Sequence, residues 1–264
     1  MGKELRNIQR RRKTANELDG IADKPSDVLV VHYSCESFYD REDGRTPRVT
    51  SIAVRNFDSG QTESYSIHKI AEQSGIDFRA IPEKYDELEK EMLSEYFAFM
   101  QQNQGLLWVH WNMRDINYGF AALEHRFRVL GGEPFVLPEG KKFDLARALI
   151  ALYGVSYTGH PRLATLIEKN RIAHRDFLTG QEEADAFDTQ DYIKLHQSTL
   201  RKVDILANIL GRAADGSLKT NARWHERYGW HPKVIIELMR EHWVFGVLSV
   251  VVVLAGLLRL VGVL

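Results

Sequence analysis

Glu36 closes the first strong β run of this chain, Val28-Leu-Val-Val-His-Tyr-Ser34-Cys35-Glu36. A carboxylate at the end of a buried strand must be satisfied by a cation or by donors of the protein itself, because burying it alone costs several kcal/mol. Other reactive arrangements are absent from the pattern. Cys35 is the only cysteine, so no internal disulfide forms and no thiol pair binds metal. No His/Cys cluster has zinc-ligand spacing, and no Gly-x-Gly-x-x-Gly or phosphate loop occurs. A Ser-His-Asp arrangement cannot be argued from these spacings.

The elements that must hold Glu36 follow from periodicity. Val28–Tyr33 and Val49–Asn56 read as strands, Asp58-Ser59-Gly60 as a turn, and Glu63–His68 as a returning third strand, together an antiparallel meander. Pro82 to Gln102 is helical through Leu88, Met92, Tyr96, Phe97 and Met100. Leu106–Trp111 reads as a short strand, and Ile116–Leu130 and Phe143–Tyr153 as helices, the latter opened near Asp144. Pro161–Asn170, Gln181–Phe187 and Tyr192–Leu210 complete the helical part. A meander followed by helices interleaved with one strand predicts an α/β domain with a mixed β-sheet flanked by helices, not a doubly wound dinucleotide fold.

Composition sets outer bounds. With 264 residues, 44% hydrophobic and 27% charged, the chain holds one sizeable domain and an appendage. A net charge of −1 gives no global field to draw in nucleic acid. Residues 1–26 are polar, with the basic run Arg10-Arg11-Arg12-Lys13, and read as a flexible arm; contact with nucleic acid or anionic lipid is the sharper, minority reading. The domain proper is expected over 27–210 and a polar, aromatic connector and juxtamembrane helix over 211–242. From Trp243 to Leu264 the only charged residue is Arg259. Those residues would make roughly 33 Å of helix, enough for one transmembrane anchor. Lys233 and Arg240 on one side and Arg259 on the other leave its orientation weakly specified. The lack of a signal-peptide pattern and the lone cysteine favour a cytoplasmic domain. Arg6 stands where a myristoylation signal has Ser or Thr, which makes Gly2 a poor acceptor.

Over residues 27–210 this order resembles the ribonuclease-H-like 3′–5′ exonucleases named for four acidic metal ligands. In that family the first strand ends in Asp-x-Glu, and here the triplet is Ser34-Cys35-Glu36. A second motif places an Asp five residues after a His, as His110 and Asp115 stand here, with Asn112 displaced by one. Phe143-Asp144-Leu145 matches a following Asp-Leu. The last motif of one branch, Tyr-x-x-x-Asp-Val, aligns with Ser198-Thr-Leu-Arg-Lys202-Val203. The other branch has a His five residues before its last Asp. His174 is suitably placed for that, but position 179 is threonine, and Glu182, Glu183 and Asp185 lie just beyond. Those acids read more simply as the start of a helix, near its positive end.

The resemblance implies two divalent ions, Mg²⁺ or Mn²⁺, clamped by carboxylates around a phosphodiester. Here Ser34 offers only a neutral hydroxyl, and Lys202 puts a positive charge where a cation would sit. Glu36, Asp115 and, weakly, Asp144 remain as ligands, with Glu36 and Asp115 catalytic only if the site is active. Either they hold one ion weakly, or they pair with Lys202 and an internal ammonium replaces the metal. The second is the expectation. It predicts an exonuclease-like domain that binds or scaffolds, with nucleic acid or nucleotide as its class of ligand. An active metal-dependent 3′–5′ exonuclease and a protein-interaction module with no nucleic-acid role are the alternatives. His110 and Trp111 at a strand end read as packed. His160-Pro161 reads as a turn. Arg126/Arg128 and Arg171/Arg175 read as solvated helical faces that could touch phosphate. Trp224–Trp230 suits a membrane-interface belt.

Overall fold

The computed structural model describes residues 2–36, 46–114 and 117–222. Asp115, the connector from residue 223 and the apolar run 243–264 lie outside them. No helix among the described residues is long and apolar enough to cross a membrane.

Five strands form one mixed sheet: β1 (Val28–Cys35), β2 (Val49–Asn56), β3 (Thr62–Ser66), β4 (Leu107–His110) and β5 (Lys142–Asp144), in the order β3-β2-β1-β4-β5. The first three are an antiparallel meander, with Val31 opposite Val54 and Ile52 opposite Tyr65. β4 runs parallel to β1, and β5 parallel to β4. β1 is central and covered on both faces, which explains an unbroken apolar run where a half-exposed strand would alternate. Leu29, Val31 and Tyr33 pack with helices α2 (Ile67–Gln73), α3 (Tyr85–Gln102) and α4 (Phe120–Val129). Val28 and Val30 pack on the opposite side with α1 (Lys3–Asp23), α5 (Leu145–Tyr153), α6 (Arg162–Asn170) and α8 (Tyr192–Ala214). Between α6 and α8 comes α7 (Gly180–Asp188), opened by a capping box of Thr179 and Glu182.

Several expectations are corrected. The polar N-terminal segment is not a flexible arm. Lys3–Asp23 is helical, and Leu18 and Ile21 seat it in the second core layer, against α5 and α8. Packing of this thin apolar stripe stabilises a helix that composition alone does not favour. The third strand stops at Ser66, so His68 belongs to α2. Residues 142–144 form a strand, and α5 begins at Leu145 with Asp144 as its N-cap. Arg126 is neither solvated nor a phosphate ligand. It is buried on α4 and donates from Nε to Glu89 Oε1 at 3.0 Å and from Nη2 to Asp86 at 2.7 Å. Glu89, fully buried on α3, also accepts the Val49 N–H at 2.7 Å, which ties the start of β2 to both helices.

Candidate functional site

The site forms where β1 leaves the sheet. Alternation along β1 turns His32 and Ser34 toward α8, on the face of Val28 and Val30. Between Ser34 and Cys35 the pairing with β2 slips by one residue: Ser34 faces Ser51, and Cys35 faces Val49. The extra residue, Thr50, donates its hydroxyl to the Ser34 carbonyl at 3.0 Å. Such a bulge bends a strand and re-aims its side chains. Opposite, α8 presents Ser198, Thr199 and Lys202, all buried.

These residues converge on Glu183, in the first turn of α7. Its Oε1 lies 2.6 Å from the Lys202 ammonium and accepts the Ser34 hydroxyl at 2.8 Å and the Ser198 hydroxyl at 3.0 Å. Ser198 accepts the Leu178 N–H at 3.2 Å in turn. Lys202 Nζ also stands 5.4 Å above the centre of the Phe177 ring, within cation–π range.

A row of hydroxyls extends the cluster. Ser51 and Thr199 are 2.7 Å apart, and Thr199 and Ser34 are 2.8 Å apart. An ion-paired carboxylate only accepts, so Ser34 must spend its single proton on Glu183. Thr199 therefore donates to Ser34, and Ser51 donates to Thr199. The Leu195 carbonyl, 3.0 Å from the Thr199 hydroxyl, is left without that proton.

A cavity of about 310 Å³ opens here, lined among others by His32, Ser34, Glu36, Tyr118, Glu183 and Lys202. Tyr118 stacks on Tyr33 with ring centres 4.6 Å apart, and its hydroxyl lies 3.3 Å from His32 Nδ1. His32 Nε2 is buried and has no hydrogen-bond partner among the described residues. Burial, and secondly the Lys202 charge, hold the His32 imidazole well below its ordinary pKa. Burial pushes the Cys35 thiol up, so it is a poor nucleophile at neutral pH.

Two of the expected ligands, Glu36 and Asp144, are among the described residues. Glu36 reaches the cavity, and its Oε2 accepts the Arg48 N–H at 3.2 Å. Asp144 is committed elsewhere: it caps α5 through the Arg147 N–H at 3.2 Å, accepts the Asn112 N–H at 3.3 Å and ion-pairs with Arg114. His110 is packed, its Nδ1 accepting the Met113 N–H at 3.1 Å and its ring edge-on to Phe120. Burial lowers its pKa to about 4. His174 is exposed. Among the described residues no group of three or more His, Cys, Asp or Glu could hold a metal. The described residues do not fit the two-ion centre that the resemblance implies, because Lys202 already occupies the Glu183 carboxylate.

Ser34, Ser198 and Lys202, drawn from distant parts of the chain, do meet. Among the described residues Glu183 is the acid that ion-pairs with Lys202, and Asp115 lies outside them. Glu183 serves at once as a first-turn acid and as a site residue, and its proximity to His174 in sequence was the signal for it. His32, two residues before Ser34, and Thr199, beside Ser198, carried no motif. No family model matches the chain, and no curated protein matches it.

Proposed function

We propose that this chain is a ribonuclease-H-like, exonuclease-type domain in which an internal ion pair has replaced the metal centre. It acts by binding, with nucleotide or single-stranded nucleic acid as its class of ligand, and residues 243–264 hold it to a membrane with the domain on the cytoplasmic side. One observation carries the reading: the Lys202 ammonium lies 2.6 Å from Glu183. The resemblance makes position 34, on β1, and position 202, on α8, two ends of one metal site. The positions do share a site, and the serine and lysine there are joined through one carboxylate. An ammonium at that point repels a divalent ion and uses up an anionic ligand. The cavity beside it, with its unpartnered His32 nitrogen, is left for a ligand.

The test is an assay of the full-length chain, in detergent, on 3′-labelled single-stranded DNA and RNA with Mg²⁺ or Mn²⁺. Anisotropy titrations with nucleoside monophosphates and the same strands run beside it. Binding without shortening is the expected result. Metal-dependent shortening lost in Glu36→Ala would show an active exonuclease. Neither shortening nor binding would leave the protein-interaction alternative.

A further inference from the structure

A second set of unsatisfied polar groups lies away from this cavity, between α2 and α8. The His68 ring, on α2, and the His196 ring, on α8, have centres 5.2 Å apart and planes inclined by 55°. Nδ1 of His68 and Nε2 of His196 are both buried and have no hydrogen-bond partner among the described residues. So is the hydroxyl of Ser66, which stands at the N-cap of α2 but makes no capping bond. Ser66 pairs across the sheet with Ser51, whose hydroxyl meets Thr199, three residues beyond His196 on α8. The three residues thus lie at the seam where β3, α2 and α8 pack together. Buried polar atoms are seldom left unpaired, because each then loses its hydration without replacement. Three in one seam point to a shared missing partner.

We propose that this partner is a borderline divalent cation of the Zn²⁺ class, held between His68 and His196. Imidazole nitrogen is the ligand type such ions favour. With Zn–N bonds of about 2.0–2.1 Å, two imidazoles on one tetrahedral ion keep their ring centres roughly 5 Å apart, which the seam matches. The Ser66 hydroxyl and water supply the remaining positions. Burial lowers the pKa of both rings. Lys69 bears on both rings, and Glu72 on His68 alone. Lys69 donates to Ser64 at 3.1 Å, and Glu72 lies one turn along α2. The ion would pin the edge of the sheet to the helix that carries Lys202. It is distinct from the hard Mg²⁺ or Mn²⁺ that the resemblance implies, and it does not depend on the function proposed above.

The test uses the full-length chain, purified without a polyhistidine tag and stripped with chelator, in detergent. Calorimetric titration with Zn²⁺ and visible absorption on Co²⁺ addition are read for the natural chain, His68→Gln and His196→Gln. The expected result is one saturable Zn²⁺ per chain, a Co²⁺ spectrum of nitrogen ligation and a raised Tm, all lost in either variant. No saturable Zn²⁺ binding would mean that water alone fills the seam, and the proposal would fall. Binding that survives both substitutions would overturn it equally. If His196→Gln does not fold, the less buried His68 decides the matter.

Discussion

The hydroxyls of Ser34 and Ser198, brought from β1 and α8, donate to the same oxygen of Glu183, at 2.8 and 3.0 Å. Lys202 completes the set at 2.6 Å. One carboxylate thereby joins the sheet, α7 and α8, and the residues that replace acidic ligands become a structural knot.

Cutting that knot on one side should destabilise the fold. Lys202→Met leaves the largely buried Glu183 carboxylate without its counter-charge, a loss of about 3 kcal/mol. Lys202→Met with Glu183→Gln should recover part of it. Urea unfolding of the three proteins checks this, and a double variant as unstable as the single one would argue against direct coupling.

Restoring acids should restore metal binding. Ser34→Asp with Lys202→Asp would gather carboxylates at 34, 183 and 202, which repel one another without a cation. The variant should be less stable in EDTA and regain stability in Mn²⁺. At a hundredfold excess over Kd the gain is about 2.7 kcal/mol, and each kcal/mol moves Tm by roughly 2–4 °C. The natural chain should not shift at this site, which thermal melts with and without Mn²⁺ would show.

Acid should weaken the fold through its buried histidines. His32 and His110 are held neutral by burial, with folded pKa values below that of the unfolded chain. The unfolded state then binds more protons as pH falls through about 6.5, so stability is full above that pH and declines below it. For His110 the decline continues until the folded imidazole itself protonates near pH 4. Urea midpoints should hold between pH 7.5 and about 6.5 and fall from there to pH 5. A flat profile would mean these rings are not held neutral.

Two arginines two residues apart on α4 should behave oppositely. Arg126→Ala strands the fully buried Glu89 and should cost about 3–5 kcal/mol. Arg128 is half exposed and 3.6 Å from Glu124, a surface pair whose removal should stay within about 0.5 kcal/mol. Comparable losses would mean that the Glu89 pair contributes no more than a surface one.

Much of the scaffold was legible because its signals are local. The β2 bounds, Val49–Asn56, follow from its sequence alternation, and α3 and α5 from helical spacing with Gly154 closing the latter. β5 was not, since three residues carry no period and only the register with β4 defines them. α1 was hidden by its arginines, because the residues that seat it, Leu18 and Ile21, gain their meaning from α5 and α8. The site divides the same way. Ser34, Ser198 and Lys202 could be aligned by motif, but the choice of Glu183 over Glu36 depends on where α7 lands, which no spacing encodes. His32 has a partnerless nitrogen only once Tyr118 and the cavity surround it.

Thr50 is, in effect, a phase shift written into the pleat. C-terminal to it, Ile52 and Val54 enter the first core layer while Ser51 points to α8; on its other side Val49 also enters that layer, although an unbroken alternation would send it toward α8. Deleting this one residue would leave every other letter of β2 unchanged. It would also leave Val49 in the apolar layer, since Val49 would then follow Ser51 in regular alternation; what would go is the bend at this strand end and the hydroxyl that holds the Ser34 carbonyl, so the inserted position sets the aim of the strand end and not its layering.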